Sequence, residues 1–504
     1  MPFYRINLGL RLDDVTCARL LSDGISLEVF TQVVRVLRIA KTSTNTIFTI
    51  DAGSETIAEN WRDAILEDIT DIEEIDIEAA PGDEGAPPEL DVWAKVGQWT
   101  KSVGNATTTI SSLPDIPKGV ILWGSGLINA AFGTYNEAGG TVLGYADGTL
   151  NRSFGFACED NQSPTNANRS IQSKAFHLVD PTGDVTGHIK EGCTVDFNAT
   201  SFDMDWDATT NATVGHYFVF GGDDIEDVQI KDFEYGTTDS IVQEYTGLGR
   251  RYDFGLFLTP YIAGPLPWGN FGITGAAMHS ISAMAGTNRQ RSWTTTIRNQ
   301  DNVNPSSAHR LQKRTKMLST MDTVTNTEQQ YCTFVEWTDD GYKLDWVNPP
   351  SAATGFFSGF FVKGGKWDAG YFYQPPVIGT IRSLLLGKYD LIQGIMGFSI
   401  NQSDVTFNTA GSTTAKLSIG GEDADGSRGT ITYAGNTAKA SSEEATIMLD
   451  DTFIRAIDGT ATASSSTVTG ECTVSDMATR GEFTCDYTIT DGISRQVVWF
   501  TLSA

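Results

Sequence analysis

The chain has 504 residues, and its 63 Asp and Glu residues outnumber its 35 Lys and Arg residues, which leaves a formal net charge of −28. Such a charge argues against nucleic acid as a partner, because phosphate backbones are bound by clustered Lys and Arg. The chain starts without the apolar segment of a signal peptide, and no run approaches the roughly 18 apolar residues of a membrane span. We therefore expect no nucleic-acid partner, no membrane insertion and no export by the usual secretory route.

Residues 1–80 are predicted to form a small α/β domain. From Tyr4 to Leu12, apolar and polar residues alternate as they do in a strand with one buried face. The Asp pair that follows can cap a short helix, and Ser54 can cap a longer one whose apolar residues recur at helical spacing. The stretch 81–90 is rich in Pro, Gly and acidic residues and is predicted to be a semi-rigid linker.

After the linker the chain repeats itself three times. A Cys-Thr-apolar phrase begins at Cys193, Cys332 and Cys472, at intervals of 139 and 140 residues. Each copy is followed by a phrase of alternating apolar and polar residues, which predicts a half-buried strand, and then by an aromatic run, which predicts an antiparallel neighbour. The alternating phrases are 202–206, 342–346 and 483–487, and the aromatic runs are 216–220, 356–362 and 497–502.

Upstream in each copy lies a short apolar run that predicts a strand buried on both faces. The chain after residue 90 shows no long helical periodicity and is rich in Gly, Thr and Ser. We therefore predict a mainly β protein with three tandem β-sandwich or jelly-roll-like modules, each long enough to fold alone. The apolar runs are 120–123, 255–258 and 395–398, and the predicted modules are 91–230, 231–368 and 369–504.

No catalytic site, metal site or cofactor is predicted. The five His residues are scattered without a His-x-x-x-His pair, and the chain has no Cys-x-x-Cys motif, nucleophile elbow or phosphate-binding loop. Glycoside hydrolysis needs only two carboxylates, and this acidic chain has too many for their presence to be informative. We expect no enzyme activity, and carboxylates that converge in a cleft would favour a glycosidase instead.

Two groups of carboxylates are the best candidates for a special role. Asp205, Asp345 and Asp486 recur in register on the polar face of their strands, where turn or cross-strand hydrogen bonding is the favoured role. Asp423 and Asp425 resemble half of a calcium loop, but the bidentate Glu that completes such loops is missing. An Asp-Gly turn is the favoured interpretation there.

The recurring cysteines occupy one equivalent position in three modules and are predicted to be reduced core residues. A disulfide between Cys472 and Cys485 is the alternative, although the other copies have apolar residues at the position of Cys485.

Several aromatic residues in Gly- and Pro-rich contexts are able to stack on sugar rings, although packing in cores or between modules is the favoured role. These residues are Trp268, Tyr261, Phe271, Trp367, Tyr371 and Tyr373.

The charges are unevenly distributed along the chain. Between Asp51 and Glu89 there are fourteen carboxylates and a single Arg, whereas a basic cluster lies in the second module. Two interpretations remain open: both segments are solvated faces, or the basic cluster docks on an acidic neighbouring subunit in a salt-sensitive oligomer. The basic cluster comprises Arg289, Arg291, Arg298, Arg310, Lys313, Arg314 and Lys316.

Four motifs of the first module occupy residues 116–124, 152–157, 159–161 and 202–206. Together they resemble motifs of β-modules in the virion proteins of tailed bacteriophages. The second module keeps part of this pattern and the third differs further. The resemblance implies a structural component of the tail, baseplate or capsid surface, and it transfers no catalytic residues. In the second module the matching motifs are 291–293 and 299–300, and 254–260 replaces the first motif.

We accordingly expect a non-enzymatic virion protein that is assembled in the host cytoplasm. Its N-terminal domain would dock on the particle while the β-modules project outward. The expected partners are further copies of the chain in a closed homo-oligomer, other virion proteins and a host-surface glycan. The alternative is a carbohydrate-binding adhesin or an array of glycan-binding β-modules.

Overall fold

The chain forms two compact units, Met1–Gly85 and Ala86–Ala504. The computed structural model describes residues 3–7, 35–41, 46–51, 90–127, 131–136, 138–179, 189–238, 241–260, 271–274, 277–286, 291–303, 306–321, 328–347, 355–385, 391–401, 414–436, 439–440, 442–458 and 467–504.

In the first unit three strands form an antiparallel sheet in the order β1-β3-β2. The predicted N-terminal strand is confirmed over β1. The two predicted helices lie outside the described residues, as does the linker apart from Leu90, so the α/β class of this unit stays a prediction. The strands are β1 (Phe3–Asn7), β2 (Arg35–Lys41) and β3 (Thr46–Asp51).

The second unit is built from strands that fall into three sets, called repeats 1, 2 and 3. No α-helix occurs in the described part of this unit, and the described strands pair antiparallel, so the predicted mainly β class is confirmed. The strands of repeat 1 are β4 (Trp93–Lys101), β5 (Thr107–Ile110), β6 (Pro117–Gly124), β7 (Tyr135–Asn136), β8 (Gly139–Ala146), β9 (Asn151–Cys158), β10 (Ala167–Gln172), β11 (Phe176–Val179), β12 (Ile189–Phe197), β13 (Phe202–Trp206) and β14 (Thr213–Gly221).

Repeats 2 and 3 follow the same order of strands. Repeat 2 begins before the predicted module limit at residue 230, and repeat 3 before the limit at residue 368. The strands of repeat 2 are β15 (Ile225–Glu234), β16 (Val242–Tyr245), β17 (Phe254–Thr259), β18 (Phe271–Thr274), β19 (Ala277–Ala285), β20 (Ser292–Asn299), β21 (Ala308–Arg314), β22 (Met317–Met321), β23 (Glu328–Thr338), β24 (Gly341–Val347) and β25 (Phe356–Gly364). Those of repeat 3 are β26 (Lys366–Tyr373), β27 (Gly379–Leu384), β28 (Ile392–Ser399), β29 (Thr414–Asp423), β30 (Arg428–Asn436), β31 (Glu444–Leu449), β32 (Ile454–Asp458), β33 (Thr467–Asp476), β34 (Glu482–Thr490) and β35 (Gln496–Ser503).

Each repeat contributes one large sheet and one four-stranded sheet. The large sheets have the orders β18-β10-β9-β8-β6-β14-β4, β15-β25-β17-β19-β20-β21 and β26-β35-β28-β29-β30-β31-β7. The small sheets have the orders β11-β12-β13-β5, β16-β24-β23-β22 and β27-β34-β33-β32. Corresponding strands therefore occupy corresponding places, as the sequence repeat predicts.

The recurring phrases meet in one register. Cys193 pairs with Trp206, Cys332 with Trp346 and Cys472 with Tyr487 across adjacent strands of the small sheets. The alternating phrases bury their apolar members and turn the polar ones outward. The alternating phrases and the aromatic runs are strands, as predicted, but their predicted pairing with each other is wrong. The aromatic runs lie in β14, β25 and β35 of the large sheets, whereas the alternating phrases lie in the small sheets, because the chain passes from one sheet to the other between them.

The apolar runs form strands that lie between two cores. In β6, Val120 and Leu122 face the small sheet of repeat 1, whereas Ile121 and Trp123 face a central cluster shared by all three repeats. Because both faces of β6 are buried, its sequence is continuously apolar and does not alternate. The predicted burial of β17 and β28 is confirmed as well.

The large sheets pack around the central cluster. The ring of Phe500 in repeat 3 lies 6.1 Å from Phe218 in repeat 1 and 4.9 Å from Phe254 in repeat 2, between ring centroids. Phe220 of repeat 1 lies 6.0 Å from Phe360 of repeat 2. Since each buried aromatic side chain contributes about 1.5–3 kcal/mol, much of the stability of each repeat depends on the other two.

The repeats close into a ring. Strand β8 of repeat 1 lies against β30 and β31 of repeat 3, β19 of repeat 2 against β9 and β10 of repeat 1, and β29 of repeat 3 against β20 and β21 of repeat 2. Two repeats also extend a neighbour's sheet, since β18 pairs with β10 and β7 pairs with β31. Folding of an isolated repeat stays a prediction, because in the structure the three share one core.

Candidate functional site at the junction of the three repeats

The loops β9–β10, β20–β21 and β30–β31 meet at one place, called here the three-loop junction. Each pair of loops is joined by backbone hydrogen bonds. The amide of Asn302 donates to the carbonyl of Thr165 at 2.7 Å, that of Ser306 to Lys439 at 2.9 Å and that of Asn161 to Ser442 at 2.8 Å. The three repeats are therefore directly connected to one another at this end of their sheets.

A buried polar cluster lies at the base of these loops. Glu444 directly follows the third loop, and its carboxyl group accepts hydrogen bonds from Asn299 Nδ2 at 2.6 Å and from Tyr433 Oη at 2.8 Å. Asn299 directly precedes the second loop, and Cys158, which precedes the first, lies 3.8 Å from Tyr433 Oη through its Sγ atom. The cluster thus takes side chains from all three repeats.

The electrostatics of the cluster follow from burial. Burial raises the pKa of Glu444 to about 8, and the hydrogen bonds from Tyr433 and Asn299 offset only part of that increase. Burial likewise raises the pKa of the Cys158 thiol well above its usual value, so this cysteine stays protonated and unreactive. The arrangement places a buried carboxyl group where the three repeats meet, and its hydrogen bonds connect Asn299 of repeat 2 with Tyr433 of repeat 3.

The sides of the repeats are joined by three seams, each with an ion pair. Arg152 of repeat 1 binds Asp232 of repeat 2 at 2.8 Å, with side chains 11% and 12% exposed. Lys95 of repeat 1 pairs with Asp425 of repeat 3. Arg291 of repeat 2 lies 3.5 Å from Asp368 of repeat 3. These pairs link the first strand of each repeat to a turn or strand of another.

The basic cluster predicted from sequence is used mostly within the chain. Arg291 belongs to a seam, Arg298 is completely buried, and the guanidinium of Arg314 lies 3.9 Å from the ring centroid of Tyr371. Lys313 and Lys316 both pair with Glu328, at 3.7 and 2.8 Å. Arg310 is half-buried in β21, and Arg289 lies outside the described residues. Docking of this cluster on another subunit stays a prediction.

The recurring aspartates have the role that the sequence predicts in two copies. Asp205 accepts a hydrogen bond from Thr107 at 2.7 Å, and Asp486 accepts one from Thr380 at 2.6 Å, each from the neighbouring strand. Asp345 is half-buried in β24, where it pairs in register with Thr333.

The calcium-like segment is a hairpin turn. Asp423 Oδ1 accepts hydrogen bonds from the amides of Asp425 and Ser427, both at 3.0 Å, and Gly426 adopts a positive φ of 82°. The favoured Asp-Gly turn is confirmed. No group of three His, Cys, Asp or Glu residues in the described ranges is placed to hold a metal ion.

The prediction that the three recurring cysteines, Cys193, Cys332 and Cys472, are reduced core residues is confirmed. Cys158, Cys193, Cys332, Cys472 and Cys485 are buried and free, so the alternative disulfide is not formed.

Among the sugar-stacking candidates, Trp367 is a core residue that stacks on Phe254 at 4.4 Å. Tyr371 and Tyr373 are half-buried. Trp268, Tyr261 and the side chain of Phe271 lie outside the description.

Sequence reasoning missed Glu444, Tyr433 and Asn299 as a group. They lie on strands of two repeats, and no spacing within one repeat brings them together. Asp147 was also missed, although Asp147-Gly148 is followed by β9 much as Asp425-Gly426 is followed by β30. That shared Asp-Gly turn is the one signal in the sequence that indicates its role at a seam.

Comparisons of the chain with models of protein families, with curated proteins and with solved structures found no match. In the described residues no helix has the length and apolar character needed to cross a membrane.

Proposed function

We propose that the protein is a non-enzymatic structural component of a bacteriophage virion, at the tail, baseplate or capsid surface. Its N-terminal unit attaches to the particle, and the three repeats present their outer sheets to other proteins or to the host surface. The assignment of each repeat to a jelly-roll-like sandwich belongs to the same proposal. It is supported by the core that each large sheet encloses with its four-stranded sheet.

The observation that carries the proposal is the closed ring of three repeats in one chain. Three seams with ion pairs, a shared aromatic core and the three-loop junction hold the repeats in one arrangement. A single chain thereby offers three similar outer surfaces, which suits a position where neighbouring subunits are themselves repeated around a closed symmetry. The large net negative charge keeps such a part soluble before assembly.

The proposal is tested by locating the protein. Antibodies against residues 86–504 would be used for immunogold electron microscopy of particles released by lysis of cells that carry the encoding gene. We expect gold at a fixed position on intact, gradient-purified particles. Label on the surface of unlysed cells, with none on particles, would instead support the glycan-binding adhesin.

A further inference from the structure

The strand edges of the repeats are protected in different ways. At two seams, the first strand of a repeat is capped by an aspartate from another repeat: Asp423 accepts from the amide of Val96, and Asp147 from that of Ile230, both at 2.8 Å. At the other end of the large sheets, β10 is covered by β18 and β31 by β7. Strands β11 and β22, at one end of their small sheets, are buried along their whole length.

The opposite ends of the small sheets differ. Strands β5, β16 and β27, called here the open edge strands, each pair on one side with β13, β24 or β34. No described strand pairs with their other side. Residues along β5 and most of β16 are exposed or half-buried. Unpaired edges of this kind are the usual acceptors for an added strand.

Exposed aliphatic side chains accompany all three open edge strands. They lie a few residues before each strand or at its first residue. Exposed apolar side chains at such a place are typical of surfaces that a partner protein covers. They are Val103 (64% exposed), Ile241 (53%), Val242 (48%), Val377 (68%) and Ile378 (67%).

The outer face beside β5 and β16 is acidic, whereas β27 carries Arg382, which pairs with Glu482. In repeat 1, Asp196 and Asp203 are direct cross-strand partners on the outer face, and Asp205 lies on the same face next to β5. In repeat 2, Glu244 of β16 and Asp345 of β24 lie on the outer face around a single Lys343. An added strand would place its own outward side chains about 10 Å from the aspartates of β13, two strand spacings away, within reach of Lys or Arg.

We propose that the open edge strands are docking sites for extended segments of a partner protein, in which apolar residues alternate with Lys or Arg. The apolar side chains cover the exposed aliphatic residues, and the basic ones face the outer carboxylates. A second copy of the chain fits less well, because pairing β5 with another β5 would align two acidic faces. The three sites in one ring suit a partner that presents the same segment three times.

The inference rests on the proposed function only in requiring a protein partner, and its test uses no virion. An mRNA-displayed library of random twelve-residue segments would be selected against the immobilised full-length chain. We expect the selected peptides to alternate apolar and basic residues. In hydrogen exchange with the full chain, they should slow the exchange of amides in 107–110, 242–245 and 379–384.

A variant with blocked edges sharpens the test. Thr109→Lys, Glu244→Lys and Thr380→Lys together put a like charge on each open edge strand, and peptide affinity should fall at least tenfold. The matched control carries Thr149→Lys, Asp223→Lys and Ser427→Lys, at exposed positions in connections between strands of the large sheets, and its affinity should stay within twofold of wild type. Thermal unfolding would confirm that both variants fold. If the edge variant does not fold, exchange protection in the wild-type chain tests the proposal in its place.

Three outcomes would overturn the proposal. The first is a selection that yields no binder or yields peptides without the alternating pattern. The second is exchange protection outside the open edge strands. The third is dimerisation of the wild-type chain in mass photometry that the edge variant abolishes, which would make a second copy the occupant. The two proposals can fail separately. A selection without binders contradicts the docking proposal and does not affect the immunogold result. Absence of the protein from particles contradicts the virion proposal and does not affect the peptide result.

Discussion

The carboxylate of Asp147 in repeat 1 accepts a hydrogen bond from the backbone amide of Ile230 in repeat 2 at 2.8 Å. The same contact recurs between Asp423 of repeat 3 and the amide of Val96 in repeat 1, also at 2.8 Å. Two seams of the ring are thus closed by an aspartate at an Asp-Gly turn that caps the first strand of another repeat. At the third seam, Arg291 pairs with Asp368 instead.

The ion pair between Arg152 and Asp232 should contribute substantially to the stability of the ring. Both side chains are nearly buried, so Arg152→Ala leaves an unpaired carboxylate and should lower the free energy of unfolding by about 3 kcal/mol. A double-mutant cycle with Asp232→Ala in urea unfolding measures the coupling. The exposed pair Lys343–Glu336 is the control and should show a coupling below about 1 kcal/mol. Equal coupling in the two pairs would contradict the prediction.

Gly394 should be required for packing between repeats. A Cβ atom at this position would lie 2.7 Å from the ring of Phe218 and 2.9 Å from the Cβ of Ala94, both in repeat 1. Gly394→Ala should therefore destabilise the chain by about 1–3 kcal/mol, measured by thermal unfolding. At Gly379 the nearest atom to such a Cβ is 4.0 Å away, so Gly379→Ala is the control and should be nearly neutral. A tolerated Gly394→Ala would mean that the repeats are less closely packed.

Stability should be highest near pH 6.5. Burial lowers the pKa of His177, His216 and His279 to about 3 and that of His309 to about 4. Below pH 6.5 these histidines therefore bind more protons in the unfolded chain, and acid destabilises the fold. Burial raises the pKa of Glu422 and Glu444 to about 8, so the folded chain holds protons that the unfolded chain loses above pH 4.5.

The two effects oppose each other between pH 4.5 and 6.5, where four histidines outweigh two carboxyl groups and stability rises by roughly 2–3 kcal/mol per pH unit. From pH 6.5 to 8 only the carboxyl groups act, and stability should fall by roughly 3–4 kcal/mol. Below pH 4.5 the two buried carboxyl groups no longer oppose the histidines, and the acid slope should steepen. Urea unfolding from pH 3.5 to 9 measures the profile, and a maximum at pH 8 or above would contradict it.

Glu444→Gln should remove about half of the decrease in stability between pH 6.5 and 8. Glutamine has the shape of the neutral acid and can still accept from Asn299, while its amide can donate to Tyr433. Glu422→Gln is the matched variant, since Glu422 accepts from the amide of Val474 at 2.9 Å, away from the three-loop junction. We expect both variants to reduce the alkaline slope similarly. An unchanged slope in Glu444→Gln would show that this carboxyl group is ionised at neutral pH.

Residues 86–504 should fold without the N-terminal unit, because they form a compact unit of their own. Deletion of residues 1–80 should leave the unfolding midpoint of this unit unchanged and abolish incorporation into particles, as measured by immunoblot of purified virions. Full occupancy of particles by the truncated chain would refute attachment through the N-terminal unit.

Much of the local structure could be predicted from sequence because strands have a short period. The alternation in 202–206 and its two counterparts predicted the small-sheet strands, and the continuous apolar runs predicted strands buried on both faces. The Asp-Gly turn at Asp423 and the buried free cysteines were predicted for the same reason, since turn chemistry and equivalence between copies are local properties. The strand at β7, two residues long, carried no signal of this kind.

The candidate site could not be predicted because its members are far apart in the chain. Asn299 and Glu444 lie in different repeats, and the hydrogen bond between them depends on how the repeats pack. The basic cluster shows the same limit. From sequence, Arg298 and Arg314 are surface cations, whereas one is buried in a sheet and the other covers Tyr371 of the next repeat.

The sequence by itself determined the threefold repeat, the mainly β class and the burial of Cys193, Cys332 and Cys472 as free thiols. These follow from side-chain periodicity within segments of ten residues or fewer, where the backbone geometry of a strand is the only requirement. Only the tertiary structure decided that the repeats close into a ring with one shared core, seams of paired charges and a buried Glu444 where all three meet. Contacts between residues hundreds of positions apart depend on which faces of the sheets are buried against each other. The packing of whole sheets determines this, and no local pattern in the sequence encodes it.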